Sequence, residues 1–259
     1  MFHIGRRLIR RLASGTSALL MLLASSAGIA QASELKIFGS RVTKVMVAEL
    51  AAGFKASTGF DPVVTADVAA VMMRRVEQDE PFDLAILVDF QIDRLIKAGK
   101  LVSQTRADIM RSGIGIAVQR GAKRPDISTV DALKRTLLDA KSITYLKEGA
   151  STIHIEKLLR QWSMVEALAA KTVKTEGETV SEWVAEGKVE LGIIVIPNIM
   201  SVPGAEVVGP LPDEIQSYVV FTGAVGTRSA HQQAARELIK LLKAPSTAPL
   251  MKARGLDPL

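Results

Sequence analysis

The stretch "FDLAILV", Phe82–Val88, is apolar at every position but one. A strand with one wet face alternates apolar and polar residues. A run without alternation belongs to a strand covered on both faces, as in a parallel sheet lying between helices. Helical patterns stand on either side of it. "AAVMMRRVEQ", Ala69–Gln78, precedes it, and a helix is expected from about Asp89 to Ala98. A buried strand between two helices predicts α/β architecture.

The same alternation extends in both directions. Leu35–Ser40 and Asp61–Ala66 read as strands, and between them Val42, Met46, Leu50 and Phe54 form one face of a helix. Downstream, Ser128 and Asp131 are expected to cap a helix running through Leu138. Ser142–Leu146 and Lys171–Thr175 read as strands, and "ELGIIVI", Glu190–Ile196, repeats the fully buried pattern. Thr179 and Glu182 are spaced as a capping box, and Ser229 with Gln232 is expected to cap a last helix carrying Leu238, Leu241 and Leu242. Two runs, 35–98 and 129–196, predict two α/β units with mainly parallel sheets, joined at the strand-like segments Gly113–Val118 and Tyr218–Val225. Trp162 and Trp183 lie within apolar helical patterns and are expected in the core.

The apparent basicity of the chain is local. The net charge is +6, but Arg6, Arg7, Arg10 and Arg11 lie in an N-terminal segment without an acidic residue, and residues 33–259 carry +2. That balance gives no electrostatic case for nucleic acid as a partner. The arginines, the apolar "LASGTSALLMLLASSAGIA" and the small-x-small site Ala30-Gln31-Ala32 form the three parts of a secretory signal. Residues 1–32 are expected to be removed by cleavage after Ala32, leaving a soluble periplasmic protein. The chain has no cysteine, so it forms no disulfide and takes no cysteine-linked lipid.

Several chemistries are missing. The histidines are His3, His154 and His231, far apart in sequence, and no metal site is expected. There is no Gly-rich loop ending in Gly-Lys-Ser/Thr and no Gly-x-Ser-x-Gly elbow, and no cofactor is expected.

Helix starts are more informative. A helix N-terminus carries unpaired N–H groups and partial positive charge, and where the chain supplies no acid of its own an anion can bind. Two starts lack an acid. In "GSRVTKVM", Gly39 allows close backbone approach, Ser40 offers a hydroxyl, and Arg41 is a cation in the first turn. In "LKEGASTIHIEKLL", Leu146–Leu159, the residues Gly149, Ala150, Ser151 and Thr152 are small or hydroxylated, with His154 in the first turn and Glu148 just outside. Ile153, Ile155, Leu158 and Leu159 are expected to turn inward. Asp67, Asp89 and Glu182, by contrast, sit where they can cap their own helices. One reading is a small anionic ligand held between Ser40-Arg41 and Ser151-Thr152. The other is that Ser40 and Ser151 cap their helices, that Arg41 is a solvated charge and that His154 is a surface residue.

"LKIFGS", "EPFDLAILVDFQIDRLIKAGKLV", "VELGIIVIPNIMSVPGAEVVGPLP" and "AARELIKLLKAPSTAPLMKARGLDP" together resemble the periplasmic molybdate-binding-like solute-binding proteins. "EGASTIHIEKLL" and "VVGPLP" are similar to one broad subfamily of these. The resemblance implies the two-lobed type II periplasmic binding protein fold, crossed twice by the chain, with the ligand cleft between lobes. Residues 33–113 with 226–259 then form lobe one and residues 114–225 form lobe two. It implies a monomer that binds an oxyanion through helix N-termini and presents it to an inner-membrane ABC permease, with Thr65 and Asn198 at the family's loop positions. Two departures bear on the ligand. Where molybdate binders carry a small-residue loop such as Gly-Ser-Ser-Gly, this chain has Thr65-Ala66-Asp67-Val68, and where some relatives carry a ligand-facing tyrosine it has Val195. Asp67 disfavours a dianion, and Arg41 beside Ser40 favours an organic carboxylate over molybdate. The family also resembles aconitate isomerase, a periplasmic enzyme. That chemistry needs a group that removes a proton at one carbon and returns one at another, for which His154 and Glu148 are the candidates.

Overall fold

The parallel pattern announced by Phe82–Val88 holds at the two ends of one continuous sheet and reverses in its middle. The computed structural model describes residues 33–67, 69–176 and 179–259. The expected export segment, residues 1–32, lies outside the described residues.

In the first group β1 (Ser33–Gly39) runs parallel to both neighbours, β2 (Phe60–Ala66) and β3 (Leu84–Val88). Its helices are α1 (Arg41–Thr58), α2 (Ala69–Glu77) and α3 (Asp89–Lys97). The long strand β4 (Ala107–Gln119) then leads to the second group. There β5 (Ile143–Leu146) runs parallel to β6 (Thr172–Thr175) and β7 (Leu191–Val195). Its helices are α4 (Val130–Asp139), α5 (Ala150–Gln161), α6 (Val165–Ala169), α7 (Val180–Ala185) and the short α8 (Ile196–Met200). The edge strand β8 (Ala205–Pro210) follows, and β9 (Tyr218–Val225) returns the chain to the first group, which α9 (Gln232–Leu242), α10 (Ala248–Ala253) and β10 (Asp257–Pro258) complete.

The strand order is β2-β1-β3-β9-β4-β7-β5-β6. β4 joins the groups: Ala107–Gly113 pairs with β9, and Ile114–Ala117 pairs with β7. The expectation of mainly parallel sheets is therefore corrected at the centre, where β3–β9, β9–β4 and β4–β7 are antiparallel. The reason is topological. The chain leaves the first group along β4 and comes back along β9, and a departing and a returning strand that lie side by side run in opposite directions.

Burial follows the sequence pattern where strands are covered twice. Leu84, Ala85 and Ile86 are fully buried, as are Leu35 and Ile37 beside them, and β7 is buried throughout. Val42, Met46 and Phe54 bury one face of α1, with Leu50 packed at its edge. Trp162 and Trp183 pack partly buried against the core.

Hydroxyl assignments fared worse. α4 is capped by Thr129, whose Oγ1 accepts from the Ala132 N–H at 3.1 Å, while Ser128 donates to Asp126 at 2.7 Å. Thr179 donates to the Glu176 carbonyl at 3.0 Å and offers α7 no side-chain cap. Ser229 donates to Asp83 at 2.6 Å, and His231 occupies the cap position of α9. In each case the hydroxyl has a nearby oxygen acceptor, which competes with the helix end. Ile153 is a further correction: it is 62% exposed on α5, while Ile155, Leu158 and Leu159 are buried as expected.

Candidate functional site

Of the six strands in the two parallel groups, five, β1, β2, β3, β5 and β7, end near one place. Ligands gather at the carboxyl ends of strands in such sheets. Here those ends enclose a cavity of about 100 Å³. Ser40 follows β1, Asp67 follows β2, and Val88 with Gln91 follows β3. Leu146 and Glu148 through Ser151 follow β5, and Val195 with Asn198 follows β7. Val219 and Phe221 of β9 form an apolar wall.

Four of these residues, Ser40, Val88, Gly149 and Val195, are the N-cap residues of α1, α3, α5 and α8. Four helix N-termini thus open on one cavity. Their states differ. Ser40 takes part in a loose capping box, its Oγ accepting from the Thr43 N–H at 3.5 Å and its N–H donating to Thr43 Oγ1 at 3.4 Å. Val88, Gly149 and Val195 provide no side-chain cap. α1, α5 and α8 carry no acid in the first turn. Each such terminus favours an anion by about 0.3–1 kcal/mol, and more when partly buried.

Local sequence explains the geometry. Gly149 has φ 144°, a region that glycine enters without a Cβ penalty. At Gly39 a Cβ would stand 2.7 Å from the Thr43 side chain, so glycine is needed to let β1 approach the first turn of α1. Thr43 in turn donates to the Ile86 carbonyl at 3.1 Å and ties that turn to β3. Thr152 donates to the Leu146 carbonyl at 2.9 Å and closes the loop that carries Gly149.

Among the described residues the cavity lining includes two carboxylates, Asp67 and Glu148, and no lysine, arginine or histidine. Its neutral polar groups are Ser40, Ser151, Gln91 and Asn198. Gln91 accepts from the Val88 N–H through Oε1 at 3.2 Å. Asn198 is buried, and its Oδ1 has no hydrogen-bond partner among the described residues. Among the described residues no group of three or more metal-ligating side chains is assembled.

Of the residues singled out in the sequence, Ser40, Glu148, Gly149, Ala150, Ser151 and Asn198 line this cavity. Gly39, Arg41, Thr65 and Thr152 stand outside the lining. Arg41 Nη1 instead meets Glu182 Oε1 of α7 at 2.5 Å. His154, also outside the lining, meets the Ile215 carbonyl through Nε2 at 2.7 Å. Gln91, Val219 and Phe221 were not anticipated. Gln91 had a signal, since it stands three residues after the last residue of a buried strand; the β9 residues had none, because their place depends on a pairing across the whole chain.

A larger groove of about 760 Å³ adjoins the cavity, sharing Gln91, Leu146, Glu148 and Gly149 with it. Lys147 and Glu176 pair on its rim at 2.9 Å, the carboxylate holding the ammonium above its ordinary pKa and being held below its own.

Residues 35–257 match the family model described as bacterial extracellular solute-binding protein. The chain belongs to this family. The solute-binding protein is similar to an aconitate isomerase from Pseudomonas sp., with 31% identity over 219 residues, spanning 82% of this chain and 83% of that one. Its fold is similar to that of the periplasmic molybdate-binding protein of Azotobacter vinelandii, at TM-score 0.71 and 15% identity, covering 86% of this chain and 98% of that chain. It is also similar to the sulfate-binding protein of Mycobacterium tuberculosis, at TM-score 0.70 and 17% identity, covering 88% and 87%. The solute-binding protein therefore has the two-lobed α/β fold of periplasmic binding proteins. Among its described residues no helix is long and apolar enough to cross a membrane.

Proposed function

We propose that this protein is the periplasmic binding component of an ABC importer, exported with loss of residues 1–32, and that it closes two lobes over a small anion. Lobe one is 33–113 with 226–259, and lobe two is 114–225. The observation that carries this reading is the convergence of four helix N-caps, Ser40, Val88, Gly149 and Val195, on one cavity. N–H groups at helix ends hold negative charge without a counter-cation. Asp67 and Glu148 beside them oppose a second negative charge at the same point, which favours a carboxylate over a tetrahedral dianion such as molybdate. Ser40, Ser151 and Asn198 supply hydroxyl and amide contacts.

Thermal unfolding of the purified protein against molybdate, sulfate, acetate and aconitate tests the reading. A ligand at a hundred times its Kd adds about 2.7 kcal/mol, a shift of several degrees. No shift with any of these anions at millimolar concentration would remove the binding reading.

A second reading has its own support. The aconitate isomerase relative matches over most of both chains. An isomerase on this site removes a proton from one carbon of aconitate and returns one to another, so the double bond moves and no oxidant is needed. Glu148 lines the cavity and is the better candidate for that proton, since His154 is engaged by the Ile215 carbonyl. Proton NMR of trans-aconitate with the protein, Glu148→Gln and His154→Ala separates the readings. Conversion by the wild type and His154→Ala but not by Glu148→Gln supports an enzyme with Glu148 as base. No conversion by any of them leaves binding alone.

A further inference from the structure

β4 changes partners between Gly113 and Ile114, and a side chain completes its ladder there. β9 pairs with Ala107–Gly113 and β8 with Gly115–Gln119. β7 occupies the opposite edge of β4 over Ile114–Ala117, so β8 and β9 lie along the same edge. Pro210 stands opposite Gly115 and Tyr218 opposite Gly113. The whole segment Leu211–Ser217 therefore bulges out against one residue, Ile114. Backbone groups that a bulge leaves without a rung need other partners. Gln216 supplies them. Its Oε1 accepts from the Ile114 N–H at 2.9 Å, and its Nε2 donates to the Ile114 carbonyl at 3.0 Å. The same Oε1 accepts from the Ser217 N–H at 2.9 Å. A Cβ on Gly113 would stand 2.9 Å from Gln216 Nε2, so glycine leaves room for the amide.

The bulge also touches the elements of the cavity. Val219 and Phe221, which follow it on β9, line the cavity. Ile215, next to Gln216, accepts from His154 Nε2 at 2.7 Å. A carbonyl only accepts, so Nε2 carries the proton. His154 lies one turn after Ala150 and Ser151 on α5, and those two line the cavity. We propose that Gln216 and His154 are positioning residues of the anion site: Gln216 fixes the register in which the chain returns to the first group, and His154 couples that register to the helix end that meets the anion. This rests on the two-lobe reading above and deepens it. β9 is paired with β3 and with the first half of β4, so it moves with the first group. The return crossing is then Leu211–Ser217, and lobe two ends at Ser217 rather than Val225. A ligand moves such an equilibrium only through contacts that differ between its two states. His154 is the contact through which α5 reaches the crossing.

The chain has no cysteine, so introduced cysteines take spin labels alone. Lys157→Cys on α5 and Lys240→Cys on α9, both exposed, put one label on each lobe of the full protein. Pulsed dipolar spectroscopy reads the distribution of distances between them, and hydrogen exchange reads the Ile114 amide. Gln216→Leu keeps the size and removes the amide. It is expected to broaden the distribution and to speed exchange at Ile114 about ten-fold. Gln216→Glu keeps the acceptor and loses the donor, and is expected to fall between. His154→Phe is expected to broaden the distribution while leaving Ile114 exchange within about two-fold of wild type. A wild-type distribution in Gln216→Leu overturns the proposal even if Ile114 exchanges faster, since the amide is then local packing only. A wild-type distribution in His154→Phe overturns the coupling. Should Gln216→Leu fail to fold, Gln216→Glu decides in the same way. The anion-binding reading fails separately, by the absence of any thermal shift with molybdate, sulfate, acetate or aconitate while the label distances still respond to Gln216→Leu.

Discussion

Arg41 in the first turn of α1 is paired with Glu182 in the first turn of α7, Nη1 to Oε1 at 2.5 Å, and the two helices belong to opposite ends of the sheet. A cation at a helix N-terminus opposes the dipole, whereas an acid there is favoured. The pair therefore joins an unfavourably placed charge to a favourably placed one. Both side chains are about one-third exposed, 29% and 33%. Glu182→Gln is expected to cost less than about 1 kcal/mol and to move the melting temperature by no more than roughly 4 °C. Its larger effect is on closure: small-angle scattering of the ligand-free variant should show a larger radius of gyration. A scattering profile identical to wild type would mean that the pair does not hold the two ends of the sheet together.

Gly39→Ala tests the packing beneath the site. The added Cβ meets Thr43 at 2.7 Å, and Thr43 is fully buried and bonded to both Ser40 and Ile86. It has no space into which to retreat. Overpacking of this kind costs about 1–3 kcal/mol. Chemical denaturation should show that loss, and the same variant should bind anions more weakly because the first turn of α1 is displaced. Wild-type stability would show that the turn yields freely.

What could be read from the sequence divides along the same line as the physics. Val42, Met46 and Phe54, or Leu84 to Ile86, are decided by local periodicity and burial, and the structure keeps them. Ser40, Gly149, Ala150 and Ser151 reach the cavity because a helix start after a strand is itself local information. Arg41 and His154 were placed by sequence neighbourhood, but a long side chain chooses among partners that only the tertiary fold supplies, here Glu182 and the Ile215 carbonyl. The same limit hid Phe221 and the antiparallel centre. Both depend on β9 lying between β3 and β4, strands more than a hundred residues away in sequence.

Asn198 carries a buried acceptor that is unpaired among the described residues. Such an atom costs about 1–3 kcal/mol relative to a satisfied one, whereas an apolar side chain of similar size leaves nothing unpaired. Asn198→Leu is expected to stabilise the ligand-free protein by about 1 kcal/mol while weakening anion binding by removing an amide from the cavity. Thermal unfolding with and without ligand separates the two effects. A variant that is less stable without ligand would show that Asn198 is structural.

Glu156 links the site to acid stability. It accepts from Lys174 at 2.6 Å and meets Arg160 at 3.5 Å, fastening α5, whose N-terminus opens on the cavity, to β6. The Lys174 hydrogen bond, and then the charges of Lys174 and Arg160, hold its carboxyl below the usual range against the opposing effect of burial. The unfolded chain therefore binds a proton at Glu156 more readily than the native one. The stabilisation is complete above the unfolded-state value of about 4.3 and is lost as pH falls through the lower native value. Glu156→Gln removes this contribution at neutral pH and cannot lose it again in acid. The melting temperature of the wild type should fall more steeply than that of the variant below about pH 4.3. Parallel curves through that range would assign the acid sensitivity to other carboxylates.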